Sequence, residues 1–391
     1  MLRFQTAGES HGQALVAILS GIPADLCVDF DYVARELKRR QGGYGRGGRM
    51  KIESDAAQFL SGVRHGRTIG SPITLLVANH DWENWKEALA VEAHPETEAK
   101  HKSLTRPRPG HADLAGCLKY DFREARYVLE RASARETAAR VAAGAVAKLF
   151  LKEFGIEVAS HVVAVGSAAL TDGPVAFERV MALRAAEEVV LSCVDKAVEA
   201  RMKEEVDKAL AARDTVGGIF EVIAQGVPPG LGSCAQWDER LDGQLTQALM
   251  SIQAVKAVEI GDGIAAAALA GSQVHDEIAY DHENSRFIRK SNRAGGLEGG
   301  ISNGQDIVVR GYVKPIATLR RPLESVDLET KETVKAGYER SDVCVVPAAG
   351  VVGEAMVGLA LSRSFLEKFG GDSMGETRRN YLGYVEQVRR F

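Results

Sequence analysis

Apolar positions recur along this chain in two rhythms. From 14 to 20 the run ALVAILS is dense in aliphatic residues and closes on Gly21-Ile-Pro23; from 218 to 225 GIFEVIAQ does the same ahead of Gly226-Val-Pro228. Each reads as a strand ending in a Gly-x-Pro turn. Each is followed by an amphipathic stretch of helical spacing, over 31–40 and 241–254. Segments 12–26 and 217–231 match at Gly12/Gly217, Gly21/Gly226, Pro23/Pro228 and Leu26/Leu231. SGVRHGRTI (61–69) is likewise similar to GGISNGQDI (299–307), two glycines four apart ahead of a strand. The pattern predicts a duplication. One α+β domain over 1–391 would hold two halves, about 1–150 and 217–350, with a ligand where they meet.

Two further helices follow from the same pattern. Ser133-Ala-Arg-Glu136 predicts a capping box, with the serine hydroxyl on the N3 amide and Glu136 reaching back. The helix then continues through Val141, Ala145 and Leu149. Over 195–213, Val198, Met202, Val206 and Leu210 form an apolar stripe supported by Glu199–Lys203 and Glu204–Lys208 pairs. This reads as a surface helix in an exposed insertion, about 175–213. The polar, aperiodic 93–103 stretch reads as an exposed loop.

Composition narrows the class. The chain has 391 residues, 45% hydrophobic and 26% charged, enough to bury a large core. The first residues lack an apolar signal segment, and no run of 18 apolar residues occurs, so no leader or membrane span is expected. Cys27, Cys117, Cys193, Cys234 and Cys344 are widely spaced and never C-x-x-C. They predict reduced thiols buried in a cytoplasmic protein, without zinc or a disulfide framework. A net charge of −4 excludes binding polyanions by bulk field, but basic residues clump locally. Arg35, Lys38, Arg39, Arg40, Arg46, Arg49 and Lys51 stand against one acid, Glu36; smaller groups follow at Arg106/Arg108/His111, Arg286/Arg289/Lys290/Arg293 and Lys314/Arg320/Arg321. Such clumps on a near-neutral chain point to a small anion.

Several segments carry candidate chemistry. GYGRGG (43–48) matches G-x-G-x-x-G, but a helical stretch precedes it where a dinucleotide site needs a strand. Two readings stay open: a solvated surface loop, or a loop that folds its arginines over an anion, since guanidinium forks bind phosphate and carboxylate bidentately. Arg131, Ser133 and Arg135 surround a helix start, which is either ordinary capping or an anion site. RPRPGH (106–111) presents His111 on a Pro-stiffened loop, as an inert residue or a general acid. AGESHG (7–12) presents His11 between glycines. Asp342 precedes an apolar run beside Arg340, as a turn residue or a base at a pocket edge. His275-Asp276-Glu277 fits no trusted metal spacing, so no metal is expected.

Taken together, AGESHG (7–12), RRQGGYGRGGRM (39–50), RPRPGHAD (106–113), ERASARETAARVAAGA (130–145), SIQAVKAVEIGDG (251–263), NRAGGLEGGISNGQ (292–305), KPIAT (314–318) and RSDVCVVP (340–347) closely resemble the chorismate synthase family over essentially the whole chain. The resemblance implies a single domain in which a helical core is sandwiched between antiparallel sheets, usually as a homotetramer. It implies a lyase that removes phosphate from 5-enolpyruvylshikimate 3-phosphate by 1,4-anti elimination to give chorismate, closing the shikimate pathway. The implied cofactor is reduced FMN, with NADPH a candidate reductant. FMN contacts are expected from Arg131, Ala132, Ser133, Gln253, Ala254, Gly299, Lys314, Pro315, Ile316, Ala317, Thr318 and Arg340. Substrate contacts are expected from Ser10, Arg40, Arg46, Arg49, Arg106 and Arg135. His11, His111 and Asp342 are the implied catalytic groups. Two rivals remain: a flavin-dependent oxidoreductase on an anionic substrate, and a nucleic-acid binder using GGYGRGGR, disfavoured by its single copy and the net charge.

Overall fold

In the computed structural model, residues 1–47, 54–92, 102–171, 173–184, 190–339 and 342–391 are described. Strands β1 (Arg3–Ala7), β2 (Ala14–Ser20), β3 (Ala57–Ser61) and β4 (Ile73–Ala78) form an antiparallel sheet in the order β1-β2-β4-β3. Strands β5 (Glu157–Val165), β6 (Ala168–Ala169), β7 (Gly218–Gln225), β8 (Val255–Ile260) and β9 (Ile307–Val313) form a second, β8-β9-β7-β5-β6. The period-2 pattern sets which face is covered: Leu15, Ala17 and Leu19 on β2 and Ile73, Leu75 and Val77 on β4 are almost wholly buried. Between the sheets run helices α1 (Phe30–Gln41), α2 (Thr137–Lys152), α3 (Leu241–Met250) and α4 (Val346–Phe369). Helix α2 packs on β2 and β4, and α4 packs on β5 and β7, giving a β-α-β sandwich of α+β class.

Helices α2 and α4 are apolar on nearly all sides because neighbours cover them all round. Their backbones meet at Gly144, where a Cβ would lie 2.4 Å from that of Ala355. Helix α4 is long and apolar enough to cross a membrane, yet 94% of that stretch is buried inside the protein. One ionic cluster sits within this apolar layer. Glu354 of α4 accepts from Arg39 (2.7 Å), Lys148 (2.6 Å) and Ser160 (2.8 Å), while Glu36 pairs with Lys148, Arg39 and Arg184.

The two sheets repeat one plan. Each places strand, strand, helix, strand, hairpin, strand and core helix in that chain order, and the four-strand order β1-β2-β4-β3 has its counterpart in β5-β7-β9-β8. Both Gly-x-Pro turns start from a glycine of positive φ, Gly21 at +91° and Gly226 at +81°. One hydroxyl locks each turn. Thr68 Oγ1 donates to Pro23 O (2.6 Å) and accepts from Leu26 N (2.9 Å); Ser302 Oγ donates to Pro228 O (2.6 Å) and accepts from Leu231 N (2.9 Å). These bonds correct the sequence reading of the hairpins by four residues, aligning Val63–Arg64 and Arg67–Thr68 with Leu297–Glu298 and Ile301–Ser302. The glycines at 62, 66 and 70 then fall on 296, 300 and 304. The spacing misled because glycines recur every four residues in both hairpins, so a shift of one repeat preserves the match. The second set of matched elements begins at β5, upstream of the expected 217.

Three smaller expectations also change. The helix Lys196–Ala211 is no surface element on its apolar side: Val198, Met202 and Val206 are buried and only Leu210 is exposed. Its pairs are i,i+3, Lys196–Glu199 and Glu205–Lys208. Glu199 turns away from Lys203 because its carboxylate accepts the Leu191 and Cys193 amides. Cys117, Cys193 and Cys344 are buried, but Cys27 and Cys234 are exposed; all five are free thiols. The 93–101 part of the polar loop lies outside the described residues.

Candidate functional site

The candidate residues gather around the N-terminal end of α2. Ser133 precedes it, but not as a capping box. Its hydroxyl accepts from Arg135 N (3.3 Å), opening the 3-10 turn Ala134–Glu136. Glu136 is drawn elsewhere, to Arg140 (2.9 Å), Thr6 Oγ1 (2.6 Å) and Gln253 Nε2 (3.2 Å). Arg135 and Arg40 both bind one carboxylate, Asp55, which is almost wholly buried; Arg40 does so at 2.5 Å and also donates to Thr137 Oγ1 (3.3 Å). Asn79 Oδ1 takes Arg135 Nε at 2.9 Å. Two buried guanidiniums thus meet on one carboxylate. Burial, with Arg135 and Arg46 adding to it, outweighs Asp55 and pulls Arg40 below its ordinary pKa. Arg40 Nε is a buried donor with no partner among the described residues. Such a donor is open to an acceptor from a bound ligand.

The loop after α1 brings a third arginine. Arg46 pairs with Asp342 at 2.8 Å, and the Gly47 amide donates to the same carboxylate at 2.5 Å. The basic run divides: Arg35 and Lys38 are exposed, whereas Arg39 binds Glu354 in the core, Arg40 binds Asp55 and Arg46 binds Asp342. Arg49 and Arg340 lie outside the described residues.

Both histidines are held by buried carboxylates. The turn carrying AGESHG folds back at Gly8, where φ is +101° and a Cβ would lie 2.3 Å from Ala14 O, so only glycine fits. Ser10 N donates to Glu130 O (2.9 Å) and Ser10 Oγ to Ser133 Oγ (3.0 Å). His11 donates its backbone N–H to Glu130 Oε2 (2.8 Å), and its Nδ1 lies 2.9 Å from Glu130 Oε1. The imidazole stacks on Trp85 with centroids 4.0 Å apart. Burial pushes the Glu130 carboxyl up, but the His11 hydrogen bonds and the Arg126 charge outweigh it and hold the group below its ordinary value. His111 Nδ1 lies 2.5 Å from Asp113 Oδ1, and Arg108 grips Asp113 through Nε (2.8 Å) and Nη2 (3.0 Å). Burial raises Asp113 too, and His111 and Arg108 again win, holding it well below the usual carboxylate range.

The second half closes the cluster. Gln253 donates to Glu136, while its Oε1, a buried acceptor, has no partner among the described residues. Ala254, at φ +69°, gives its carbonyl to Lys314 N (2.9 Å), and Lys314 Nζ reaches Gly110 O (2.7 Å) on the His111 loop. Burial and the Lys256 charge lower the Lys314 pKa, and no carboxylate pairs with it among the described residues. Pro315 is exposed and Ala317 half-buried; Ile316 O accepts from Thr215 (2.8 Å), and Thr318 Oγ1 accepts from Arg108 (2.8 Å). Arg131 donates to Gly8 O (3.0 Å) and Thr6 O (2.9 Å), with Ala132 half-buried beside it.

Gly299 and Arg106 stand apart from these bonds. Gly299 lies exposed on its hairpin, and Arg106 is exposed, giving only its carbonyl to Gly337 N (3.0 Å). Sequence reasoning missed Asp55, Asn79, Arg108, Asp113, Glu130 and Glu136. Arg108, Asp113, Glu130 and Glu136 stood in segments already singled out, next to chosen residues. Asp55 and Asn79 carried no local signal, since only tertiary folding sets them against Arg135.

A family model for chorismate synthase matches residues 2–366. The chorismate synthases of Acidobacterium capsulatum and Koribacter versatilis are 64% and 62% identical, each over 100% of this chain and 100% of the relative. A crystal structure of chorismate synthase superimposes with a TM-score of 0.79 at 42% identity, covering 100% of this chain and 99% of that one.

Proposed function

Because this chain belongs to the chorismate synthase family, we propose how its own residues carry out that family's reaction. The protein is a carbon–oxygen lyase, converting 5-enolpyruvylshikimate 3-phosphate to chorismate by 1,4-anti elimination of phosphate. The observation that carries the residue-level reading is the cluster of buried cations at the start of α2: Arg40 and Arg135 meet on Asp55, and Arg40 Nε has no partner among the described residues. A substrate with one phosphate and two carboxylates balances that charge in a water-poor site. Arg40, Arg46 and Arg135 would bind its anions, with Ser10, Arg49 and Arg106 completing the contacts.

Reduced FMN fits the residues present. Gln253 Oε1, without a partner among the described residues, would accept a ligand N–H, and Lys314, which pairs with no carboxylate among them, would supply a cation. Arg131, Ala132, Ser133, Ala254, Gly299, Pro315, Ile316, Ala317, Thr318 and Arg340 would complete that cradle. When bound, reduced FMN lends electron density to the substrate while its allylic C–O bond breaks. His111 holds a proton at Nε2 for the departing phosphate, and the arginines stabilise the charge that develops there. His11 holds a proton facing the cofactor. Asp342, released from Arg46 as the arginine turns to substrate, assists removal of the C6 proton.

Anaerobic phosphate release from 5-enolpyruvylshikimate 3-phosphate tests this reading, with FMN reduced beforehand, left oxidised, or supplied with NADPH. Release with reduced FMN alone supports the lyase, and turnover in the NADPH arm adds an intrinsic reductase. Stoichiometric NADPH consumption per product would favour the oxidoreductase instead. We also propose a cytoplasmic homotetramer. The five free thiols and the exposed apolar residues Ile18 and Leu60 on the outer face of the first sheet support this. Light scattering checks the assembly.

A further inference from the structure

Each site histidine is built as the outer member of a three-residue chain. Arg126, Glu130 and His11 form one; Arg108, Asp113 and His111 form the other. Both carboxylates are buried, at 2% and 0% exposure, and the shifts described above keep them ionised. An ionised carboxylate only accepts, so the ring nitrogen facing it must carry a proton. The facing atom is Nδ1 in both chains; at His111 it also lies 3.0 Å from Arg108 Nη2, but that nitrogen donates to Asp113 Oδ1 and the carboxylate stands closer, at 2.5 Å. Among the described residues neither Nε2 has a hydrogen-bond partner. We infer that Glu130 and Asp113 are positioning residues of the reaction, fixing the proton of His11 and His111 on Nδ1 and so presenting Nε2 of both rings to the bound ligands.

The contacts are too numerous for chance capping. Glu130 binds the backbone N–H and the ring of one residue, so main chain and imidazole are set together, and Trp85 fixes the ring plane. Asp113 takes four donors: Arg108 N, Nε and Nη2, and His111 Nδ1. Arg108 is locked in turn by Thr318, which belongs to the proposed cofactor cradle, so the His111 chain leads from one ligand to the other. The two chains also differ. Arg108 binds its carboxylate through three nitrogens, whereas Arg126 stands 3.5 Å from Glu130 and spends its Nη2 on Glu339 (2.9 Å). The other charges near His11 are Lys102, 3.7 Å above the Trp85 ring, and near His111 Lys314, on the Gly110 carbonyl. Glu130 is therefore the less compensated of the two carboxylates.

This rests on the reading of both histidines as site residues, and double-mutant cycles separate the two. With pre-reduced FMN, Glu130→Gln and Asp113→Asn are each expected to lower turnover about a hundredfold or more, by analogy with carboxylates that orient catalytic or metal-bound histidines. The same substitutions should cost less than about threefold in His11→Ala and His111→Ala respectively, because their effect passes through the missing ring. Equal cost in both backgrounds would make the carboxylates merely structural and overturn the inference, as would no cost in the intact enzyme. Activity retained by His11→Ala or His111→Ala would instead sink the reading of that histidine. Should a variant not fold, histidine-selective 15N spectra of the intact enzyme still decide. Protons on Nδ1 of both rings support the inference, and a neutral Nε2–H form at either contradicts it.

Discussion

The two halves of this molecule share a frame and divide the chemistry. Their Gly-x-Pro turns, locking hydroxyls and strand orders match, yet the matched rungs of the sheets carry opposite kinds of side chain. In the first sheet Ala7, Val16, Leu76 and Gln58 stand opposite one another across four strands. The corresponding rung of the second sheet is His161, Glu221, Arg310 and Glu259, joined by pairs of 2.9 and 2.6 Å and a longer one of 3.5 Å. The helix-to-strand connections reverse the contrast. After α3 the chain turns through 251–254 directly into β8; after α1 it runs through 42–56 before β3, and that longer path delivers Arg46 and Asp55 to the site. The repeated frame therefore supplies stability and orientation, and the departures from the repeat supply function.

The largest way to test this division is to remove one of the clustered cations. Arg135→Ala leaves Asp55 to Arg40 and takes one charge from the site. Turnover with pre-reduced FMN should fall about a thousandfold, equivalent to about 4 kcal/mol of barrier. Steady-state assay checks this, and a fall below tenfold would break the assignment of charge to the first half.

Next comes the core link between the halves. Glu354→Ala strands Lys148 and Arg39 with only Glu36 to balance them, and should cost about 3 kcal/mol or more by chemical denaturation. Burial raises Glu354, but Arg39 and Lys148 outweigh it and hold it well below its ordinary pKa. A carboxylate lowered on folding stabilises the protein at neutral pH, and that contribution is lost as pH falls below about 5 toward the folded-state value. The variant should therefore lose less stability than the parent between pH 7 and pH 4.

Smaller effects sharpen the likeness. Thr68→Ala and Ser302→Ala each leave a buried N–H and carbonyl unpaired, and should cost similar amounts, about 1–3 kcal/mol. Unequal costs would mean the turns are alike in geometry only. At the hairpin tips, Gly66→Ala should cost about 1 kcal/mol, because its φ of +75° disfavours a side chain while nothing lies within 4 Å. Gly300→Ala should cost more, since its Cβ meets Arg240 at 2.7 Å. Thermal melts rank these pairs.

Strands β2 and β7, helix α1 and the Gly-x-Pro turns were legible because period-2 burial and positive-φ glycines leave local marks. His11, Ser10, His111 and the arginines were legible as motif members. Their partners were not, because Asp55 meets Arg135, and Asn79 meets the same arginine, only after β3 and β4 pair. The capping box at Ser133 failed for a related reason: Glu136 takes two long-range donors, Thr6 and Gln253, and Arg140 one turn on, which outweigh one local amide. The surface reading of 196–211 failed because an apolar stripe does not reveal how much of a helix its neighbours cover.

The most direct test of the central claim is a crystal structure of the protein with 5-enolpyruvylshikimate 3-phosphate and oxidised FMN. The account predicts the substrate's anions against Arg40, Arg46 and Arg135 at the start of α2, with Nε2 of both histidines facing the ligands. Substrate bound away from those arginines, or histidines presenting Nδ1, would contradict it.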